Sequence, residues 1–410
     1  MTPTPESLPH APWLSDPATR SVIAALEAAG GPGCARFVGG CVRNGLLDRP
    51  VDDIDIATVL TPDQVMTALK AAGIKSVPTG VEHGTVTAIA DGRPFEVTTL
   101  RRDVETDGRR AVVAFTTDWV QDAQRRDFRL NALYMDGAGR IYDPTGEGVS
   151  DALAGRIVFV GEAEQRIRED YLRILRFFRF RAWFGRGAPD PAGLAACAAL
   201  KDGLSRLSAE RVSKELLKLL AAEDPRQAVA EMDAAGVLAE ILPEARSLDR
   251  FVSLVEIEHG PLGKGGAELR LAALLPDDPA QAAAAAKRLR LSNAQRDRLE
   301  AATTFDPDIA PDMSAQAARR RLYVLGAPAF ADRVVLSWAA LDGAPEAWLA
   351  LLAQARDWVR PSFPLTGHDA AAAGLKPGPE LGQALRAVEA WWVEQDFGPG
   401  REALIGRLRG

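Results

Sequence analysis

Cysteine is scarce in this 410-residue chain: Cys34, Cys41 and Cys197, with no CxxC pair and no disulfide ladder. A disulfide-stapled scaffold is excluded and a reducing compartment is expected. Aromatic residues make up only 6%, and alanine is abundant after Ala188. That composition favours helices over a large antiparallel sandwich. No apolar run approaches the roughly 20 residues a membrane span needs, so no membrane partner is expected. The first residues, MTPTPESLPHAPWLSD, lack a basic stretch followed by an apolar one, the mark of a secretory signal. A cytoplasmic protein is expected. Positive net charge is missing too: the formal charge is -7, so the whole surface is not a nucleic-acid sponge.

Arginine is nevertheless dense in two adjoining regions. Arg101, Arg102, Arg109, Arg110, Arg125, Arg126 and Arg129 form one group. Arg166, Arg168, Arg173, Arg176, Arg179 and Arg181 form the next. Local arginine density in an acidic chain suggests a focused anion site. Helix faces laced with ion pairs are the competing reading. The length and the 47% hydrophobic content suggest two or three domains.

Hydrophobic spacing predicts a helix over Thr19–Ala29, a strand over Ala35–Val38, a helix over Cys41–Leu47 and a strand over Ile54–Ala57. Thr61-Pro62-Asp63 opens a helix running to about Ala72, with Thr61 as cap and Pro62 at the first position. Thr85–Ala90 and Pro94–Leu100 read as strands turned at Asp91-Gly92. Arg101–Arg110 reads as a mobile charged loop and Ala111–Phe115 as a further strand. Leu130–Met135 and Arg140–Tyr142 read as a second hairpin. Beyond about Pro144 the spacing turns helical, over Glu162–Trp183, Ser208–Ala222 and alanine- and leucine-rich segments to the end. No fixed repeat is present.

The stretch FVGGCVRNGLLDRPVDDIDIAT, residues 37–58, concentrates the chemistry. Residues two apart on a strand share a face, so Asp53 and Asp55 are expected together, with Ile54 and Ile56 turned to the core and Asp52 away from the pair. Two carboxylates on one face repel unless a cation joins them, and hard divalent cations such as Mg²⁺ take such ligands. Phosphoryl transfer uses that arrangement. Gly39-Gly40, between strand and helix, brings backbone N–H groups toward an anion, with Arg43 one turn on. Glu96 on the FEVTTL strand is a candidate third carboxylate.

These residues resemble the class II tRNA nucleotidyltransferases and the related bacterial poly(A) polymerases, of the polymerase-β-like nucleotidyltransferase superfamily. The resemblance continues through HGTVTAIADGRPFEVTTLRRD, RRDFRLNALYMD, REDYLRILRFFRF and RLSAERVSKELLKLL, covering roughly the first half of the chain in order. It implies an α+β fold: a small mixed-sheet nucleotidyltransferase head followed by an all-helical neck, body and tail. The expected division is an N-terminal extension to residue 34, a catalytic head over 35–150, a neck over 151–235 and an RNA-binding body and tail over 236–410. It implies that Asp53 and Asp55 hold Mg²⁺ with Glu96 as helper. Gly39, Gly40 and Arg43 would contact the triphosphate. Arg126 and Asp127 would lie near the ribose, with Asn131 structural or ribose-adjacent. Asn44 departs from the aspartate common in the family, losing a charge but keeping a hydrogen-bonding shape; Leu47-Asp48 departs from a usual glycine. Some relatives carry a histidine–aspartate phosphohydrolase domain. His10, His83, His259 and His368 are too scattered for one, so neither that activity nor zinc is expected.

The resemblance also implies that Asp170 and Arg173, three apart on a helix, choose the base. A carboxylate only accepts hydrogen bonds and a guanidinium only donates. Cytosine and adenine each present an amino donor beside a ring-nitrogen acceptor; uracil and guanine present the reverse. Each mismatched pairing costs about 1–3 kcal/mol when buried. Arg176 and Arg179 would add positive charge. The expected activity is addition or repair of the 3′-terminal CCA of tRNA from CTP and ATP, with release of pyrophosphate and no protein partner implied. A poly(A) polymerase is the alternative. A non-catalytic RNA-binding protein and a small-molecule nucleotidyltransferase are more distant ones. The alanine-rich 282–300 segment fits either an RNA-facing surface or plain packing.

Overall fold

The structure is a computed structural model and describes residues 7–8, 11–107, 110–263, 265–341 and 343–409. His10 and Arg109 lie outside the described residues. Among the described residues nine strands follow one another as β1 (Ala35–Val38), β2 (Asp55–Thr58), β3 (Lys75–Gly80), β4 (Thr85–Ala90), β5 (Arg93–Thr99), β6 (Arg101–Asp107), β7 (Arg110–Phe115), β8 (Tyr134–Met135) and β9 (Ile141–Tyr142). Seven form one sheet in the order β3-β4-β5-β2-β1-β8-β9; β6 and β7 pair separately. All pairings in the large sheet are antiparallel except β2 with β5. That one parallel pair makes the sheet mixed, and it sets Asp55 against Glu96.

The helices of the first half are α1 (Pro17–Gly30), α2 (Gly40–Leu46), α3 (Pro62–Ala71), α4 (Trp119–Gln124), α5 (Gly148–Ala154), α6 (Ala163–Glu169), α7 (Leu172–Phe184), α8 (Pro191–Ala199) and α9 (Ala209–Leu220). Asp16 caps α1 through its carboxylate. Thr61 and Gln64 close a capping box on α3, satisfying two backbone donors that the helix itself cannot. One face of the sheet packs on α1 and α3 through Val22, Leu26, Phe37, Ile56, Leu69 and Val97. The other carries a smaller cluster, Val38, Ala57, Leu100, Ala132, Tyr134 and Val160.

Several expectations are corrected. Arg101–Asp107 is a strand, not a loop: β6 and β7 pair from Arg101↔Phe115 to Asp107↔Arg110. Backbone pairing, not apolar composition, defines that ribbon. Leu130–Met135 is only partly strand, because Arg129–Asn131 forms a 3₁₀ turn before β8. The edge strand β3 contains Pro78, a residue that argues against a strand unless it lies at a sheet edge. The helix expected over Glu162–Trp183 is two helices broken at Asp170, whose backbone is extended (φ −154°, ψ 106°). Asp170 Oδ1 accepts the Leu172 N–H at 3.1 Å, a local bond that competes with helix continuation. The 3.6-residue spacing runs through the break, so it is invisible to periodicity.

The chain divides into two compact units, Met1–Ile241 and Leu242–Gly410. The second contains helices and no strand among its described residues. Its cores gather around Leu322, Phe330, Trp338 and Trp348, and around Tyr323, Leu365, Trp392 and Leu404. In the 282–300 segment, Ala282, Ala285 and Ala286 are buried, while Arg288 pairs with Glu244 and Arg298 with Glu268 and Asp332. Packing accounts for the buried alanines of that segment. No described helix is long and apolar enough to cross a membrane.

Candidate active site

Asp55 opens β2 on the face opposite the buried Ile54 and Ile56. Strand pairing begins at Asp55, so Asp53 lies just before the strand, exposed, and strand parity does not fix its direction. Asp52 is exposed as well. Asp53 is still close enough to act on Asp55. Burial, the neighbouring Glu96 and then Asp53 push the Asp55 carboxyl up to about 6, against the pull of Arg126. The carboxylates of Asp53, Asp55 and Glu96 make no hydrogen bond or ion pair among the described residues. No three His, Cys, Asp or Glu side chains among the described residues form a closed metal cage. Mg²⁺ usually takes one or two carboxylates, several waters and substrate phosphate oxygens. The uncompensated pair Asp53 and Asp55 fits that chemistry.

Gly39 joins β1 to α2 at φ +71°, ψ −118°, a conformation an L side chain rarely adopts. A Cβ there would stand 3.7 Å from Nη1 of Arg126. The Arg126 guanidinium is tied on its other two nitrogens: Nε donates to the Tyr134 hydroxyl (3.2 Å) and Nη2 to Asp122 Oδ2 (3.0 Å). Tyr134 in turn donates to Asp122 Oδ2 at 2.7 Å. Arg125 Nε and the Arg101 backbone N–H donate to Asp122 Oδ1 at 2.8 and 3.2 Å. Burial would raise the Asp122 carboxyl, but Arg126, Arg125 and the phenol hold it at about 2.

The Arg43 guanidinium lies behind the glycine turn, with Nη2 3.9 Å from where a Cβ on Gly40 would stand. Arg43 is buried, with its guanidinium 4.1 Å from the Phe184 ring centre and 5.2 Å from that of Phe180. It donates to the Asn44 and Asn131 side-chain oxygens, at 2.8 Å from Nη2 to Asn44. Asn44 thus accepts from Arg43 without carrying a charge. Burial lowers the Arg43 guanidinium to about 10, partly offset by Asp127. Asn131 donates to Asp127 Oδ1 (3.1 Å), and Arg176 Nε donates to Asp127 Oδ2 (2.7 Å). Arg179 pairs with Glu215 of α9 at 2.6 Å. Asp127 is therefore engaged inside the protein. Burial opposes its charge, yet Arg176 and Asn131 hold it at about 2.

Asp170 and Arg173 flank the break before α7 instead of sharing a helical face. Asp170 Oδ2 accepts from Arg211 of α9 (2.7 Å). Arg173 donates to Glu169 (2.7 Å), to the Arg166 carbonyl (2.9 Å) and to the Arg125 carbonyl (2.9 Å). Ion pairs laced along the helices also occur, Arg168 with Glu164 and Arg166 with Glu169. Leu172, Leu175 and Phe178 are buried. Sequence reasoning missed Asp122, Tyr134, Glu169, Arg211 and Glu215. The i,i+4 spacings of Asp122 with Arg126 and of Glu169 with Arg173 were the readable signals; Tyr134, Arg211 and Glu215 meet their partners across elements.

Open carboxylates at a parallel strand pair, a glycine turn and a presented arginine define a nucleotidyltransferase-type head. Residues 35–158 match the family model described as the poly A polymerase head domain. Residues 188–248 match that described as the probable RNA and SrmB-binding site of polymerase A. The chain is 33% identical to the CCA tRNA nucleotidyltransferase 1, mitochondrial, of Homo sapiens over 396 residues, 91% of this chain and 86% of the relative. It is 30% identical to the CCA-adding enzyme of Latilactobacillus sakei, over 94% of this chain and 95% of the relative. The structure of the Bacillus stearothermophilus CCA-adding enzyme in complex with CTP aligns at a TM-score of 0.78 and 29% identity, covering 96% of this chain and 98% of that one. A Thermotoga maritima CCA-adding enzyme, at 19% identity and a TM-score of 0.68 over 97% of each chain, shares the fold. The chain belongs to the CCA-adding tRNA nucleotidyltransferase family.

Proposed function

We propose that this protein adds or repairs the 3′-terminal CCA of tRNA, transferring CMP and AMP from CTP and ATP to a 3′-hydroxyl with release of pyrophosphate. The observation that carries this is the Asp55–Glu96 register with Asp53 beside it, three carboxylates that make no hydrogen bond or ion pair among the described residues. We assign Mg²⁺ to Asp53 and Asp55, with Glu96 assisting. When bound, the ion supplies charge neutralisation and acidifies the attacking hydroxyl. The chain's own residues bind and orient. Gly39 and Gly40 give the phosphates close access to backbone, Arg43 adds positive charge from behind, and Arg126 and Asp127 lie at the ribose.

Asp170 and Arg173 select the base. Three of the five guanidinium donors of Arg173 are used within the protein, leaving two for a base edge. Asp170 uses one bond on each oxygen and retains acceptor capacity. Recognition of an amino group beside a ring nitrogen therefore fits without dismantling the turn. Arg176 and Asp127 tie α7 to the head at the ribose end, and Arg179, paired with Glu215 of α9, adds positive charge beside them. The finer division into extension, head, neck, and body and tail follows the same reading, with tRNA along the helical part. Three buried, unpaired thiols accord with a reducing, cytoplasmic location.

Primer extension on tRNA ending at the discriminator base, with each NTP supplied singly, tests the proposal. CTP alone should add two residues, and ATP should add one only after them. Repeated addition of A to generic RNA would identify a poly(A) polymerase instead.

A further inference from the structure

Guanidinium groups crowd two rings at the C-terminal end of α7. Phe180 and Phe184 stand 5.6 Å apart, centre to centre. Arg176 and Arg179 lie over Phe180, at 5.4 and 4.5 Å. Arg43 lies over both rings, and Arg49, from the loop between α2 and β2, over Phe184 at 4.8 Å. Different partners hold these cations. Arg176 pairs with Asp127 and Arg179 with Glu215. Arg43 and Arg49 pair with no carboxylate among the described residues. Arg43 meets the neutral side chains of Asn44 and Asn131. Arg49 Nη1 donates to the Trp183 carbonyl at 2.8 Å. That carbonyl belongs to the last turn of α7, where helix carbonyls lack intrahelical partners and a cation is favoured.

A carboxylate holds a guanidinium and cancels its charge. An aromatic face holds it through the ring quadrupole and leaves the charge whole. Burial works against the charge on Arg43, and Arg179 and Arg49 add repulsion, with Asp127 opposing them. An arriving anion relieves that repulsion. We propose that Phe184 is a positioning residue whose ring holds Arg43 and Arg49 as un-neutralised cations, one behind the glycine turn and one on the loop that runs to Asp53, so that both raise the positive potential at the phosphate end of the site. This rests on the nucleotidyl-transfer reading above and adds Phe184 and Arg49 to it. It also gives α7 a role at each end: the turn before it carries Asp170, and its last turn fixes the two cations. Phosphate is common to CTP and ATP, so both nucleotides feel Phe184 alike. Base choice stays with Asp170 and Arg173.

The test compares Phe184→Leu, which keeps apolar bulk and removes the aromatic face, with Phe184→Tyr, which keeps the face. Arg49→Gln, at an exposed position, removes one of the two charges and covers the case in which Phe184→Leu does not fold. Single additions of C and of A are measured under steady state, together with inhibition by pyrophosphate, which carries neither base nor ribose, and the melting temperature. Loss of the ring face predicts KM raised about 3- to 10-fold in Phe184→Leu, by the same factor for CTP and ATP. The pyrophosphate inhibition constant should rise in step, with kcat within about twofold of the parent. Phe184→Tyr should restore both constants. Arg49→Gln should raise the pyrophosphate constant and make it less sensitive to added salt, since screening acts on the charge that was removed. An unchanged pyrophosphate constant in Phe184→Leu, or in Arg49→Gln, would overturn the proposal. So would a Phe184→Tyr variant as impaired as Phe184→Leu, an effect on one nucleotide alone, or a fall in kcat that merely tracks melting. If the unmodified protein adds no nucleotide, the reading of the function fails, a result distinct from any of these.

Discussion

Asp53 and Asp55 differ in environment more than their spacing suggests. Asp53 is exposed before the strand; Asp55 is partly buried against Glu96 and titrates at about 6. Replacing either with alanine should reduce nucleotide addition by at least about 100-fold, given that metal-assisted charge stabilisation supplies several kcal/mol. The melting temperature should hold. Adding Mg²⁺ should raise the melting temperature of the parent and not of Asp55→Asn, and chelation should stop addition; differential scanning fluorimetry reads the first. Asp127 gives a pH prediction. Its folded pKa, about 2, lies below its ordinary 3.8, so its stabilisation is present above about pH 4 and is lost as pH falls toward 2. Asp127→Asn should cost on the order of 2 kcal/mol at neutral pH, with the gap closing across that window in urea titrations.

At the scale of elements, the turn at Asp170 and Tyr171 is shaped by its neighbour. A side chain on Gly203 would overlap the Tyr171 ring, so that ring lies directly on glycine backbone. Gly203→Ala should force the turn to shift, costing about 1–3 kcal/mol of stability. It should also relax discrimination against UTP and GTP, which a misincorporation assay measures. Asp170 was recognisable in the sequence by its motif, but its place in a helix break was not. The cause is that α6 and α7 keep one continuous apolar spacing through a residue whose own side chain ends the first helix. The charged β6–β7 ribbon was hidden for the opposite reason. It is held by backbone pairing, which leaves little trace in composition.

For the whole molecule, each of the two units has its own buried clusters. A fragment ending at Ile241 should therefore fold alone, with a single cooperative melt by circular dichroism. It should retain CTP binding while tRNA affinity falls by about tenfold or more, since backbone contacts dominate RNA affinity.

The sequence by itself determined the α+β head, the strand–glycine–helix turn and the identity of the three carboxylates. Each is written locally, in hydrophobic spacing, in a glycine pair between strand and helix or in residue chemistry. Only the tertiary structure decided that β2 lies parallel to β5, which sets Glu96 against Asp55. It alone decided that Arg43 turns inward to Asn131 and Phe184, and that Tyr134 and Asp122 grip Arg126. Those contacts join residues from separate elements. Their partners are chosen by register and burial, which no local pattern of residues encodes.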